Sequence, residues 1–158
     1  MAITYTLTLS SPLTADEVAQ ELLTIAQEQD LLDTSVPADD LTRDGKATIH
    51  GTWLKVVDED LSEDDPVADL GIRPAVSVFF RYKKEGYETQ DDDLTKMVAS
   101  LLKRFAEDAV LHFEYDSIWL LRRNGELLVN DTTEEWTPSR LALLPESFGR
   151  ATLKFPSD

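Results

Sequence analysis

The stretch Leu94-Thr-Lys-Met-Val-Ala-Ser-Leu-Leu-Lys-Arg-Phe105 carries the strongest secondary-structure signal in the chain. Its apolar residues fall at positions i, i+3, i+4, i+7, i+8 and i+11, which is the spacing of one continuous helix face. Asp91 to Asp93 precede the stretch, where a helix dipole favours negative charge, and two basic residues lie near its other end. We therefore expect an amphipathic helix that begins near Asp91 and buries this face.

The residues after this helix predict a meander of three strands. Apolar, β-favouring runs extend from Val110 to Tyr115, from Ile118 to Arg123 and from Glu126 to Asn130. Asn124-Gly125 separates the last two runs, and this dipeptide is a strong hairpin signal because both turn positions need a positive φ. A C-terminal β-hairpin is therefore predicted.

The amino-terminal residues predict a strand followed by a helix. Apolar residues from Ile3 to Leu9 alternate with threonines, which is typical of a strand with one face on a core. Thr14 and Glu17 have the spacing of a capping box, in which each side chain can satisfy a free amide at a helix start. The apolar spacing that follows predicts a helix from about residue 15 to residue 29.

The order of the elements predicts the fold class. Further strands are expected from Lys46 to Val57, with a bulge at Gly51, from Ala75 to Tyr82, and from Ala151 to Phe155, and a short helix is expected from Thr137 to Leu144. The pattern indicates an α+β fold, a mostly antiparallel sheet of about six strands with two main helices packed on one face. The first six elements fit a split βαβ-like core, which the C-terminal hairpin follows. At 158 residues, we expect a single domain spanning positions 1–158.

The charge of the chain is its clearest functional signal. It has 31 acidic and 15 basic residues and a formal net charge of -16, whereas a small domain needs only about 2 to 8 units to stay soluble. Residues 1–79 contain 16 of the acidic and only 4 of the basic side chains. This balance excludes nucleic acid as an expected partner and favours a basic one.

The composition also points to a cellular location. The chain contains no cysteine, which fits a reducing compartment, and its first residues lack the pattern of a signal peptide. No apolar run approaches the roughly 18 residues of a membrane span, so no membrane partner is expected. We predict a cytoplasmic protein.

An acidic run is the leading candidate for a binding surface. The run begins at Asp58. An EF-hand calcium loop starting there would need glycine at its sixth position and glutamate at its twelfth, where this chain has Glu63 and Asp69. The run is therefore interpreted as a solvated loop that binds a basic partner, with no metal expected. Its acidic residues are Asp58, Glu59, Asp60, Glu63, Asp64 and Asp65.

Trp136 is the other partner-binding candidate. It lies in a polar segment after two glutamates, and aromatic residues are concentrated in binding hot spots. The alternative interpretation, that its ring covers part of the sheet, is left open at this stage.

The residues that usually carry catalysis have no recognisable pattern here. The chain has two histidines, His50 and His112, each in a predicted strand with apolar neighbours, which is typical of structural histidines. Patterns for a nucleophile elbow, a zinc helix, a P-loop and a dinucleotide-binding loop do not occur. A protein that is not an enzyme, with no catalytic residues and no cofactor, is expected. An enzyme site around His112 and Glu114, on one strand face, is the less favoured alternative.

Several stretches resemble the bacterial immunity proteins that are paired with polymorphic toxins of the swarm-inhibition type. The resemblance implies a small cytoplasmic protein that binds and occludes a toxin domain, and it carries over no catalytic residue. It agrees with the acidic composition, because charge complementarity raises the rate and specificity of association. The stretches are Met1-Ala-Ile-Thr-Tyr-Thr-Leu7, Val76-Ser-Val-Phe-Phe-Arg-Tyr-Lys83, Met97-Val-Ala-Ser-Leu-Leu102 and Ala109 to Asn130, which includes Ile118-Trp-Leu-Leu-Arg-Arg-Asn-Gly-Glu-Leu-Leu128.

Other binding functions remain as alternatives. A regulatory or scaffold module, as a homodimer that pairs through an open sheet edge, would share this composition. A DNA mimic would share the acidity, but it would need carboxylates spaced regularly like phosphates, which one compact run does not provide. A monomer that neutralises a basic toxin is the favoured reading.

Overall fold

A computed structural model describes residues 3–10, 12–59, 66–145 and 147–156. Within these residues the chain forms eight strands and four helices, and a short 3₁₀ helix at Ala68–Leu70 precedes the strand that begins at Pro74. The strands are β1 (Ile3–Ser10), β2 (Lys46–Ala47), β3 (Trp53–Asp58), β4 (Pro74–Tyr82), β5 (Ala109–Phe113), β6 (Ser117–Arg123), β7 (Glu126–Asn130) and β8 (Phe148–Ala151). The helices are α1 (Ala15–Glu28), α2 (Asp39–Thr42), α3 (Tyr87–Arg104) and α4 (Pro138–Leu141).

The described strands form one sheet in the order β2-β3-β4-β1-β5-β6-β7-β8. Because β4 is antiparallel to both β1 and β3, those two strands are parallel to each other with β4 between them, and α1 connects them. In the same way β1 lies between β4 and β5, which α3 connects. The expected split βαβ arrangement is therefore present, and the α+β class is confirmed.

The prediction of an antiparallel sheet of about six strands is wrong. The described sheet has eight strands and is mixed, because β8 pairs parallel with β7. The strand expected from Lys46 to Val57 is broken into β2 and β3 by a turn at residues 48–52, where Gly51 has a φ of 94°. The last strand begins at Phe148, earlier than expected, and no local pattern marks that pairing.

The main core lies between one face of the sheet and the two long helices. Thr14 caps α1 as expected, since its hydroxyl oxygen accepts a hydrogen bond from the Glu17 amide at 3.3 Å. The inner face of α1 is fully buried against α3 and against strands β3 and β4. Buried α1 residues are Ala15, Val18, Ala19, Leu22, Leu23, Ile25 and Ala26.

Helix α3 has the predicted apolar face but begins earlier than predicted. It starts at Tyr87, after Gly86 in a left-handed conformation, so Asp91 to Asp93 lie inside the helix and not at its amino end. At its other end, the buried Arg122 guanidinium donates hydrogen bonds to the carbonyl oxygens of Leu102, Phe105 and Glu107. Arg122 thus satisfies carbonyl groups that a helix terminus leaves without partners.

A smaller apolar cluster covers the opposite face of the sheet. Side chains around the 3₁₀ helix pack there against β5 and β6, and Leu153 and Phe155 from the carboxyl-terminal segment pack against them. The buried members are Val67, Leu70, Ile72, Val110, Ile118 and Leu121. Among the described residues, no helix is both long and apolar enough to cross a membrane.

Candidate functional site: an acidic surface and an aromatic-carboxylate cluster

The acidic run begins where β3 ends, next to the amino terminus of α1. Asp58 is the last residue of β3, and its Oδ1 accepts a hydrogen bond from the Ala15 amide at 2.7 Å. Asp58 and the half-buried Glu59 therefore lie close to Asp16 and Glu17, which are exposed in the first turn of α1. We call these four residues the acidic surface. The other members of the run, Asp60, Glu63, Asp64 and Asp65, lie outside the described residues.

The position of Asp58 has a structural consequence of its own. A carboxylate at the first turn of a helix interacts favourably with the helix dipole. It also accepts a hydrogen bond from one of the amide groups that have no partner within the helix. Asp58 therefore supports α1 whether or not a partner is bound. The Glu59 amide donates a hydrogen bond to the Ala75 carbonyl at 2.8 Å. Its side chain has no hydrogen-bond partner among the described residues, so its carboxylate can contribute charge to recognition.

Trp136 lies in the core, with 7% of its surface exposed. Its Nε1 donates a hydrogen bond to the Trp119 carbonyl at 2.8 Å, and the two indole rings meet edge to face with centroids 6.3 Å apart. This geometry favours the interpretation that Trp136 covers the sheet. Little of its ring is left for contact with a partner.

His112 is buried and held in one tautomer. The Tyr115 amide donates to Nδ1 at 3.1 Å, so the ring proton resides on Nε2, which has no hydrogen-bond partner among the described residues. Burial lowers the pKa of the imidazole to about 4, and the ring is therefore neutral near pH 7. Glu114 does not share a strand face with it, because β5 ends at Phe113 and Glu114 lies in the next turn with a φ of 49°. The arrangement offers no support for a catalytic pair.

His50 lies in the turn between β2 and β3, not in a strand as predicted. Its Nδ1 is 2.6 Å from Asp93 Oδ2, and the imidazole is 41% exposed.

The other two α3 aspartates also have specific partners. Asp91 accepts a hydrogen bond from the Tyr82 hydroxyl at 2.7 Å, and Asp92 accepts one from Arg140 Nε at 2.9 Å. Each aspartate thus connects α3 to a different part of the chain.

Tyr5 and Tyr82 contact each other and three further aromatic rings where β1 begins and β4 ends. The Tyr5 ring centroid lies 4.9 Å from that of Tyr82, 5.4 Å from that of Phe113 and 4.6 Å from that of Trp119. Tyr87, at the start of α3, stacks on Tyr82 at 6.3 Å and is 44% exposed. Tyr5 and Phe113 are half-buried, so the rings remain accessible at the edge of the core.

Carboxylates lie beside these rings. Burial raises the pKa of the Tyr5 phenol, and the charges of Asp91 and Glu135 raise it further. Burial also raises the pKa of Asp91, against the opposing effects of the Tyr82 hydroxyl and Arg140, and Glu135 adds to the increase. Both carboxylates are half-buried. We call Tyr5, Tyr82, Tyr87, Phe113 and Trp119, together with Asp91 and Glu135, the aromatic-carboxylate cluster.

Arg140 holds the segment that carries Glu135 against α3. The buried guanidinium donates to Asp92, to the Glu135 carbonyl at 2.8 Å and to the Glu88 carbonyl at 3.3 Å. Its one positive charge therefore lies among three carboxylates, those of Asp91, Asp92 and Glu135. The cluster keeps an excess of negative charge beside aromatic rings.

The sequence patterns point to Asp58 and Glu59 of the acidic surface as candidates but give no sign of the aromatic-carboxylate cluster. Members of the cluster come from β1, β4, α3, β5, β6 and the segment before α4, so no local spacing relates them. The aspartate triplet at 91–93 is the only local signal, and by itself it predicts a helix start. In the described parts of the chain, no group of three or more histidine, aspartate or glutamate side chains is arranged to hold a metal ion.

Comparisons with known proteins give one match. A family model described as SitI3-like matches residues 3–140, which include every member of both candidate sites that the structure describes. No curated protein and no solved structure matches the chain.

Proposed function

We propose that this chain, which belongs to the SitI3-like family, is an immunity protein. It binds a cognate bacterial toxin in the cytoplasm and neutralises it by occlusion. Membership of this family suggests an immunity-protein type of function, which is binding and not catalysis. The resemblance found in the sequence is confirmed at the level of the family. The toxin partner, its basic character and the monomeric state of the inhibitor are part of the proposal.

The placement of Asp58 and Glu59 supports an acidic contact surface. The run starts beside the exposed carboxylates of Asp16 and Glu17, so charges that are distant in sequence add to one local field. Such a field attracts a basic partner, accelerates its arrival and disfavours acidic competitors. The single observation that carries the proposal is the family match over 138 of the 158 residues, and the acidic surface supplies the mode of binding.

A growth experiment tests the proposed function. The toxin domain that the proposal expects to be encoded next to this chain is expressed in a bacterial host, alone and together with this chain. We expect growth arrest by the domain alone and recovery when both are expressed. Growth arrest that this chain does not relieve, while both proteins accumulate, would contradict the proposal.

Variants then locate the contact. A charge-removal variant carries Glu59→Gln, Asp60→Asn, Asp64→Asn and Asp65→Asn, and it leaves Asp58 in place because that carboxylate supports α1. A matched control removes four exposed charges elsewhere, with Asp44→Asn, Asp116→Asn, Glu126→Gln and Glu134→Gln. We expect recovery of growth to weaken in the first variant and to persist in the second.

A further inference from the structure

The aromatic-carboxylate cluster has the chemistry of a receptor for an organic cation. Positive groups are attracted to the faces of aromatic rings, and this attraction is larger where water is partly excluded. Tyr5 is half-buried between Phe113 and the buried Tyr82 and Trp119, so its own ring is partly desolvated and still reachable from solvent. The cluster therefore combines the two conditions that favour a bound cation.

The described part of the chain does not balance the charges in the cluster. Arg140 is the cation identified beside Asp91, and its hydrogen bonds are directed to Asp92 and to two backbone carbonyl groups. Among the described residues, the Asp91 carboxylate accepts one hydrogen bond, from the Tyr82 hydroxyl, and Glu135 lies close enough to raise the pKa of both Asp91 and Tyr5. A further positive charge between Asp91 and Glu135 would relieve this repulsion.

The Tyr5 hydroxyl supplies an additional polar group. Within the described residues it takes part in no hydrogen bond, although Asp91 and Glu135 both influence it electrostatically. A phenol oxygen can accept a hydrogen bond from a cationic donor, and the two carboxylates can accept others. A guanidinium group presents several hydrogen-bond donors in one plane, and it also stacks on aromatic rings.

We infer that the aromatic-carboxylate cluster receives an arginine side chain of the protein partner, with the guanidinium between Asp91 and Glu135 and against the Tyr5 ring. This inference rests on the proposed function for the existence of a basic protein partner, and it adds a second contact distinct from the acidic surface. Charge complementarity selects the occupant, since the cluster is both acidic and aromatic. Lysine, which lacks the planar donor group, would bind more weakly.

Binding of a small probe tests the inference without any toxin. The full chain is titrated with n-butylguanidinium, and the indole N–H signals of Trp119 and Trp136 are followed by NMR. We expect saturable shifts of these signals, weaker binding of n-butylammonium, and no comparable shifts with the neutral n-butylurea. Equal shifts with the neutral urea would overturn the inference, because they would show that charge is not recognised.

Matched variants assign the site. Asp91→Asn keeps an acceptor for the Tyr82 hydroxyl but removes the charge, and Glu135→Gln removes the other charge without touching that hydrogen bond. Asp44→Asn, in the turn before β2, removes one exposed charge as the control. We expect the affinity for n-butylguanidinium to fall by about tenfold in either cluster variant, as for loss of one partly buried charge contact, and to stay unchanged in the control.

Unchanged affinity in folded Glu135→Gln protein would overturn the inference, even if Asp91→Asn could not be prepared. The growth experiment remains a separate result. A chain that binds the probe at the cluster but gives no protection from a toxin would contradict the proposed function and leave the cation site established.

Discussion

His112 lies beneath Tyr115 and Phe155, with ring centroids 4.5 Å from the first and 5.4 Å from the second. Its environment stabilises the neutral form of the imidazole, because burial disfavours the charged form and Nδ1 accepts a hydrogen bond from the Tyr115 amide. In the unfolded chain the same imidazole has a pKa of about 6.5. The unfolded state therefore takes up a proton at a higher pH than the folded state does.

This difference predicts an acid-dependent loss of stability. The contribution of His112 to the free energy of unfolding is fully present above about pH 6.5. It decreases as the pH falls and is lost near the folded pKa of about 4, a change on the order of 3 kcal/mol. In His112→Asn, an amide oxygen can still accept from Tyr115 but cannot be protonated in this range. Urea unfolding between pH 7 and pH 4 should show a flatter dependence for the variant than for the wild type. Parallel curves would contradict the account.

At the scale of the elements, two arginines act at the carboxyl end of α3: the buried Arg122 binds carbonyl groups there, and Arg104, the last residue of α3, pairs with α1 on the surface. Arg122 is 3% exposed and donates to three backbone carbonyl groups, whereas Arg104 forms surface ion pairs with Glu21 and Glu28. Removing a buried donor leaves acceptors without partners, while an exposed ion pair contributes little. The two arginines are therefore a natural comparison.

We expect Arg122→Met to lower the free energy of unfolding by about 3 kcal/mol, because several buried carbonyl groups lose a charged donor. Arg104→Met should lower it by less than about 1 kcal/mol, since that ion pair is partly exposed. Urea denaturation of both variants measures the difference. Equal losses in the two variants would show that the Arg122 contacts do not stabilise the end of α3.

Two turns offer a second comparison at this scale. Gly45 and Gly125 both have a φ of 80°, which strains any residue with a Cβ. A Cβ at Gly45 would also lie 2.4 Å from the Trp53 ring, whereas one at Gly125 would meet no described atom within 4 Å. The Trp53 ring is held near Gly45 by the hydrogen bond from its Nε1 to the Asp44 carbonyl at 3.2 Å.

We expect Gly125→Ala to cost about 1 kcal/mol from backbone strain alone. Gly45→Ala should cost roughly 1 to 3 kcal/mol more, because the Trp53 ring must also move away from its contact. Thermal unfolding gives the energies, and Trp53 fluorescence reports the displacement. If the two variants were equally stable, the close contact at Gly45 would be of no energetic importance.

Across the whole molecule, the sequence patterns predicted those parts of the fold that depend on residues close together in the chain. The cap at Thr14, the apolar face of α3 and the turn at Asn124-Gly125 depend on residues only a few positions apart. The parallel pairing of β8 and the site that joins Tyr5 to Asp91 depend on packing between distant segments. Those features have no spacing that a single sequence displays, and they required the structure.

The net charge of -16 also acts at this scale. Under the proposed function, the field of this uneven charge distribution guides a basic toxin towards the acidic surface, and salt screens such a field over about 10 Å at 0.1 M ionic strength. Affinity, by contrast, depends on the contacts formed after arrival. The association rate is therefore the property that responds most directly to the acidic run.

The most direct test of toxin binding through the acidic surface is the association rate with the purified toxin domain, measured by stopped flow at increasing salt. We expect the Glu59, Asp60, Asp64 and Asp65 charge-removal variant to associate about tenfold more slowly than the wild type at low salt, with a shallower salt dependence. The matched control variant should behave like the wild type. An unchanged rate and an unchanged salt dependence in the charge-removal variant would contradict the claim.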